Sequence, residues 1–121
     1  MLFKSFEITA AESAEAGLAA LDHQPGFEAV VSDMQMPRMN GAAFLIEVRA
    51  RRPDVTRLLL TGHADIEAAV AAVNRGQIFR FLTKPCPPEE LLSALTDAVA
   101  QHRLITSERV LLEQTLVGSV R

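Results

Sequence analysis

The chain has 121 residues, of which 49% are hydrophobic and 22% charged, with a formal net charge of -3. This size and composition are typical of one soluble globular domain with a real core. The twelve Lys and Arg are outnumbered by fifteen Asp and Glu and form no basic block, which disfavours nucleic-acid binding. No apolar stretch approaches the roughly 18 residues that span a bilayer, and the start is too weakly apolar for a signal peptide. Cys86, the single cysteine, cannot form an internal disulfide, which agrees with a reducing compartment. From these features together we expect a cytoplasmic protein with no membrane partner.

Four short apolar runs alternate with helical patterns, as expected for β–α units around a parallel sheet. The predicted strands are FEIT (6–9), FEAVV (27–31), RLLLT (57–61) and IFRFLT (78–83). Three helices are predicted between them, each with start or stop signals. These helices lie within residues 12–26, 41–53 and 64–76. In the third, Asp65 is predicted to cap the start, and Gly76 to follow the end.

The last helical pattern begins with Pro and acidic residues and is longer than one domain-packing helix requires. We therefore predict two segments, a packing helix to about residue 100 and an extension over 101–121. The extension has an apolar stripe: Leu104, Ile105, Leu111, Leu112 and Leu116. Such a stripe fits either a tail packed on its own domain or a helical connector or dimer seam, and both interpretations stay open.

Polar side chains stand where three of the predicted strands end. Asp33 follows FEAVV, Thr61 ends RLLLT, and Lys84 follows the last strand. Because ligands bind outside the carboxyl ends of parallel strands, the three groups are expected to converge. Taken singly, each residue has an ordinary structural explanation: Asp33 as a turn former, Thr61 as a common strand-end hydroxyl and Lys84 as a surface lysine.

Together the three groups suit phosphoryl transfer to a carboxylate. Asp33 would be the nucleophile, and the Lys84 ammonium and Thr61 hydroxyl would bind the phosphoryl oxygens. Mg²⁺ normally completes such a site, held by one or two carboxylates, phosphate oxygen and water. Asp33 is the only carboxylate that we can place there.

The motif Asp33-x-x-Met36-Pro37-x-x-x-Gly41, with Thr61 at a strand end and Lys84-Pro85 after the next strand, resembles the receiver domain of bacterial two-component response regulators. The resemblance runs from about Phe6 to Ala100, so residues 1–100 are expected to form a receiver domain. It implies a flavodoxin-like, three-layer α/β sandwich with a mainly parallel sheet.

The resemblance also implies roles for single residues. Asp33 would be the phosphoacceptor for a sensor histidine kinase or phosphotransfer protein, Thr61 the switch hydroxyl and Lys84 the phosphate-binding cation. Phe81 matches the switch aromatic of the family, although a core strand side chain is an equally good interpretation. Met36, Pro37 and Gly41 would shape the loop after Asp33.

A cis peptide bond is expected at Lys84-Pro85, as in the family. The backbone carbonyl of Gln35 matches a metal ligand of the family, beside Asp33.

The chain departs from the family pattern at its start. The family has a first strand that ends in an acidic, Mg²⁺-binding pair, followed by a helix, and both precede the strand that FEIT matches. Residues 1–6 look like the tail of that helix, so we expect the first strand and the acidic pair to be missing. Strand exchange or a homodimer would fill the gap, and Mg²⁺ binding and phosphorylation of Asp33 are expected to be weak or absent.

Further implications concern the C-terminal end. The extension resembles the connector to an HD-GYP-type cyclic-di-GMP phosphodiesterase output domain, and no catalytic residue of such a domain occurs here. We therefore expect a non-enzymatic phosphoacceptor that relays its change to a C-terminal output domain.

Two alternative functions make different demands on these residues. A haloacid-dehalogenase-like phosphatase needs a second Asp two residues after its nucleophile, where this chain has Gln35. A receiver-like interaction or dimerisation module, independent of phosphate, would use its last helices. His63 and Asp65 are too few for a metal site and are expected to be structural.

Overall fold

The computed structural model describes residues 6–120, with side chains for residues 6–108. The predicted helix tail at the start of the chain falls mainly on residues 1–5, outside that range. Helices and strands alternate along the described residues, in the order α1 (Ala14–His23), β1 (Ala29–Asp33), α2 (Gly41–Arg51), β2 (Thr56–Thr61), α3 (Ile66–Asn74), β3 (Arg80–Thr83) and α4 (Pro88–Val120), with a short 3₁₀ helix (His63–Asp65) before α3.

Polar caps explain where the first two helices start. Ser13 accepts a hydrogen bond from the amide of Ala16 at 3.1 Å, and Asn40 accepts one from the amide of Ala43 at 2.8 Å. Each cap satisfies an amide that has no partner within its helix. At α3 the prediction was only half right: Asp65 stands at the cap position but makes no capping hydrogen bond. Gly76 follows the helix with a φ of +71°, as predicted.

The three strands form a parallel sheet in the order β1-β2-β3. Pairing aligns Asp33 with Leu60 and Thr61 with Thr83, so the carboxyl ends of all three strands lie at one edge. This agrees with the predicted parallel α/β arrangement.

Helices cover both faces of the sheet and produce three layers. Side chains alternate between the two faces of a strand, and the neighbours Leu58 and Leu59 of β2, both fully buried, enter different cores. Leu59 packs in the larger core with residues of α1, α2 and α3. Leu58 packs against Ala94 and Ala98 of α4.

The predicted strand over residues 6–9 is wrong. Phe6–Thr9 has no strand structure, and within residues 6–120 β1 is paired with β2 alone. A strand persists only where a neighbour completes its backbone hydrogen bonds. FEIT has suitable side chains, but no described strand lies next to it.

The last helical pattern, predicted as a packing segment and an extension, forms one helix. α4 runs without interruption from Pro88 to Val120, because the sequence has no Gly or Pro between Glu89 and Val117. Its middle is attached to the domain: His102 Nδ1 lies 2.7 Å from the carbonyl oxygen of Asp54, and Arg103 pairs with Glu28 at 3.1 Å. Of the predicted apolar stripe, the side chains from Leu111 onward lie outside the described ones. No helix within residues 6–120 combines the length and the apolarity needed to cross a membrane.

Candidate functional site

The carboxyl edge of the sheet brings Asp33 and Lys84 together. Lys84 is 51 residues from Asp33 in sequence, and its ammonium donates a hydrogen bond to Asp33 Oδ2. Both side chains are about two-fifths exposed, at 41% and 43%, so a ligand can reach the pair from solvent. The other carboxylate oxygen, Oδ1, accepts the backbone amide of Gln35 at 3.1 Å.

These contacts keep the Asp33 carboxylate ionised. Partial burial by itself raises the pKa of Asp33, but the hydrogen bond from Lys84, the amide of Gln35 and the charge of Lys84 outweigh it, and the pKa lies below its ordinary value. An ionised carboxylate is the form that can act as a nucleophile at neutral pH.

Thr61 lies at the same edge but is fully buried. Its hydroxyl donates to the carbonyl oxygen of Gly62 at 3.1 Å, and its own carbonyl oxygen accepts the amide of Lys84 at 2.9 Å. Thr61 therefore positions the backbone of Lys84, while its hydroxyl is directed at its own loop.

The loop after Asp33 returns to the strand at Gly41. The amide of Gly41 donates to the carbonyl oxygen of Met34 at 2.8 Å, and a Cβ at Gly41 would lie 2.1 Å from the carbonyl oxygen of Asp33. Only glycine permits so close an approach. Met36 packs half-buried against the larger core, and Pro37 is exposed.

Of the remaining residues of the predicted site, Phe81 lies on β3 and Pro85 is the second residue after it. The peptide bond between Lys84 and Pro85 is cis, as the resemblance implies. Phe81 is half-buried against the larger core and pairs with Leu59 in the sheet, a placement that suits a core side chain.

Sequence reasoning missed one contact at this edge. Gln35 Nε2 donates a hydrogen bond to Asp65 Oδ2 at 2.7 Å, which ties the loop after β1 to the 3₁₀ helix after β2. Asp65, which was expected to cap α3, instead accepts a hydrogen bond from a residue 30 positions away in the sequence. Hydrophobic periodicity has no signal for such a pair.

The residues of this edge do not compose a Mg²⁺ site by themselves. Among the residues that the structure describes, no group of three or more His, Cys, Asp or Glu could hold a metal ion. Asp33 is engaged on both oxygens by Lys84 and Gln35. A hard divalent cation needs more oxygen ligands than these residues supply.

Comparison with known proteins gives a consistent family match. The family model "Response regulator receiver domain" matches residues 3–96. The hydrogenase transcriptional regulatory protein HoxA of Cupriavidus necator is 34% identical over 85% of this chain and 21% of its own length. The transcriptional regulatory protein GlrR of Escherichia coli is 35% identical over 88% of this chain and 23% of its own. The chain therefore spans about a fifth of the length of these relatives.

Solved structures agree. A response regulator receiver domain protein from Clostridium thermocellum superposes with a TM-score of 0.75, at 30% identity, over 82% of this chain and 79% of that one. A chain described as adenylate cyclase from Rhodopirellula baltica superposes with a TM-score of 0.89, at 36% identity, over 93% and 86% of the two chains.

Proposed function

The chain belongs to the response regulator receiver domain family, and from that premise we propose that it receives a two-component signal on Asp33. Receiver domains have the flavodoxin-like α/β fold seen here and interact with histidine kinases and with C-terminal output domains. In the proposed function, a sensor histidine kinase or phosphotransfer protein supplies the phosphoryl group. The observation that carries the proposal is the ion pair of Asp33 and Lys84 at the carboxyl edge of the sheet.

The proposed transfer uses groups already in place. An Asp33 oxygen attacks phosphorus as the bond from phosphorus to the donor breaks, and the product is an aspartyl phosphate. Lys84, released from the carboxylate, neutralises charge on the transferred oxygens. Lysine suits this task because its ammonium is a compact charge on a flexible stem.

Thr61 is proposed as the switch hydroxyl. To reach a phosphoryl group on Asp33 its Oγ1 would exchange the bond to Gly62 for one to a phosphoryl oxygen. Phe81 is proposed to adjust with it, since both side chains pack next to the edge of the sheet.

We further propose that the 121-residue chain is phosphorylated poorly. Family members typically bind Mg²⁺, which neutralises charge in the transfer. Beside Asp33 the described residues offer only the Gln35 backbone carbonyl as a candidate ligand, so metal binding is expected to be weak.

Incubation with a small phosphodonor across a Mg²⁺ titration, followed by mass spectrometry of the intact chain and its peptides, tests both parts. We expect slow modification of Asp33 that rises with Mg²⁺ and is absent in Asp33→Asn. Asp65→Asn, a nearby carboxylate, is the control and should still be modified. Rapid stoichiometric modification at low Mg²⁺ would refute the impairment. No modification of Asp33 at any Mg²⁺ concentration would refute the phosphoacceptor role.

The signal is proposed to reach an output domain along α4. This helix contacts β1 and β2 and continues through residues 101–120. The HD-GYP type of output domain has no support among the relatives named above, which are transcriptional regulatory proteins. Receiver domains are generally not enzymes, and the phosphatase alternative has Gln35 where its second Asp is needed.

A second candidate role is dimerisation through α4, independent of phosphate. Leu104 is 61% exposed on this helix, which leaves an apolar side chain for a partner helix. The solution mass of Leu104→Glu, compared with that of Ser107→Glu as a control at a neighbouring exposed position, tests it. A monomeric wild-type chain would refute it.

A further inference from the structure

A small cavity lies at the amino ends of β2 and β3, at the edge of the sheet opposite to Asp33. Its volume is about 180 Å³, which at roughly 30 Å³ per water molecule leaves room for about six non-hydrogen atoms. Gln101 and Ile105 of α4 lie on one side of it, and the first residues of β2 and the segments that lead into β2 and β3 lie on the other. A ligand in this cavity would therefore contact both the sheet and the last helix.

The wall of the cavity contains apolar and polar side chains, and none of the residues that line it is acidic. The larger apolar side chains are those of Val55, Ile78, Phe79 and Ile105. The polar side chains are those of Thr56, Arg57 and Gln101. Such a wall suits a small ligand that has one polar end and one apolar end.

Arg57 is a half-buried cation without a carboxylate partner. Its Nε and Nη1 donate to the carbonyl oxygens of Gln77 and Val55, both at 2.8 Å, with a longer contact from Nη1 to Pro53 at 3.5 Å. Nη2 forms no hydrogen bond with any described residue, and no ion pair among the described side chains includes Arg57 or Arg49. Burial and the nearby charge of Arg49 lower the pKa of Arg57 below its ordinary value. An anion bound at Nη2 would oppose both effects.

The hydroxyl group of Thr56 also lacks a partner. Thr56 is 4% exposed, and its Oγ1 forms no hydrogen bond within the part of the chain that the structure describes. Buried hydroxyl groups are usually hydrogen-bonded, because an unpaired one costs free energy. Rotation about χ1 exchanges the hydroxyl with the methyl group of the same side chain. Since Thr56 lines the cavity, its hydroxyl can therefore turn toward a bound acceptor.

We propose that this cavity binds a small organic monocarboxylate with a short apolar chain. The carboxylate accepts hydrogen bonds from Arg57 Nη2 and from the Thr56 hydroxyl, while the apolar chain covers Ile78 and Phe79. A compact dianion such as phosphate suits the cavity less well, because one free guanidinium nitrogen would leave much of its charge unpaired beside apolar side chains. The site lies at the opposite edge of the sheet from Asp33, so its occupation does not depend on phosphorylation.

The probe is butyrate, titrated into the 121-residue chain at constant pH and ionic strength and followed by NMR of the backbone amides. We expect saturable shifts centred on Arg57, Phe79 and Gln101, and a urea unfolding midpoint that rises with the butyrate concentration. Butyramide has nearly the same shape without the charge and should bind about tenfold or more weakly. Acetate lacks two methylene groups and should bind about fivefold or more weakly. Inorganic phosphate should also bind more weakly than butyrate.

Thr56→Val tests the hydroxyl group with little risk to the fold. Valine has nearly the same shape, and the hydroxyl that it removes has no partner in the free chain, so the urea midpoint should equal or exceed that of wild type. Butyrate should nevertheless bind about fivefold more weakly.

Arg57→Met tests the guanidinium group and should weaken butyrate binding about tenfold or more. Arg51→Met is the control, because it removes the same charge from an arginine that is paired with Asp22, and it should stay within about twofold of wild type. Urea unfolding checks that both variants fold. If Arg57→Met does not fold, Thr56→Val and the series of ligands still test the proposal.

Three results would overturn the proposal. Butyrate could cause no saturable shifts. Butyramide or phosphate could bind as tightly as butyrate, which would show an uncharged ligand or a general anion site instead of a site for apolar carboxylates. Finally, wild-type affinity in Thr56→Val and in a folded Arg57→Met would place butyrate elsewhere on the domain.

Discussion

Replacing Gly41 by Ala tests how the loop after Asp33 is held. An added Cβ would lie 2.1 Å from the carbonyl oxygen and 2.8 Å from the carbonyl carbon of Asp33. Both are backbone atoms at the end of β1, so the strand or the start of α2 must move by about 1 Å to restore ordinary contact distances. Overpacking of this kind costs about 1–3 kcal/mol.

The helix preference of Ala returns up to about 1 kcal/mol. A clash with backbone belongs at the upper end of the overpacking range, so we expect Gly41→Ala to lower the free energy of unfolding by about 2 kcal/mol. For a urea m-value of about 2 kcal/mol/M, the unfolding midpoint should fall by about 1 M.

Gly62→Ala is the matched control. Gly62 also follows a strand at the same edge, but its φ is -83° and nothing lies within 4 Å of an added Cβ. Its substitution should leave stability unchanged or raise it by about 0.4–1 kcal/mol, through the lower entropy of the unfolded chain. A Gly41→Ala midpoint equal to that of wild type, or an equal fall in Gly62→Ala, would refute the close approach.

Three further outcomes are expected. Lys84→Met should raise the pKa of Asp33, because the effect of burial is then opposed by fewer favourable contacts. NMR titration of the Asp33 carboxyl group measures this pKa. The control Arg80→Met removes an ion pair with Asp97 and should leave the pKa of Asp33 unchanged. The folded-state pKa of Asp33 lies below its ordinary value in an unfolded chain. The stability from its ionised form is therefore fully present above that ordinary value and is lost as the pH falls through the folded-state pKa. The difference in unfolding free energy between wild type and Asp33→Asn should shrink over that acid range. A difference that stays constant with pH would contradict a stabilising role of the ionised Asp33 carboxylate. Leu45→Ala should lower the free energy of unfolding, measured in urea, by about 2–5 kcal/mol because Leu45 is fully buried. The control Ile46→Ala changes a neighbouring side chain that is 43% exposed and should lower it by less than half as much. Equal losses of stability in the two variants would contradict the placement of Leu45 in the core.

Local sequence signals located the helices and three of the four proposed strands. Apolar runs and turn residues placed β1, β2 and β3 to within about two residues, because burial of one face imposes the period that those runs show. The cap at Ser13 and the glycine after α3 act within a few residues of their positions, so they can be read without knowledge of the rest of the fold.

The candidate site was predictable for a similar reason. Asp33 and Thr61 each end a strand and Lys84 directly follows one, and a parallel sheet brings the carboxyl ends of its strands to one edge. Their convergence therefore needs only the strand order. The orientation of the Thr61 hydroxyl toward Gly62, and the bond from Gln35 to Asp65, depend on the final positions of two loops.

What the sequence determined by itself is the periodicity, the caps and the presence of polar groups at three strand ends, since each depends on neighbours within about one helical turn or one strand. The tertiary structure decided whether Phe6–Thr9 forms a strand, which contacts hold α4 against the sheet, and which strands pair within residues 6–120. Strand pairing and packing join residues that are distant in sequence. FEIT has the composition of a strand, but composition cannot supply the neighbouring backbone that a strand requires.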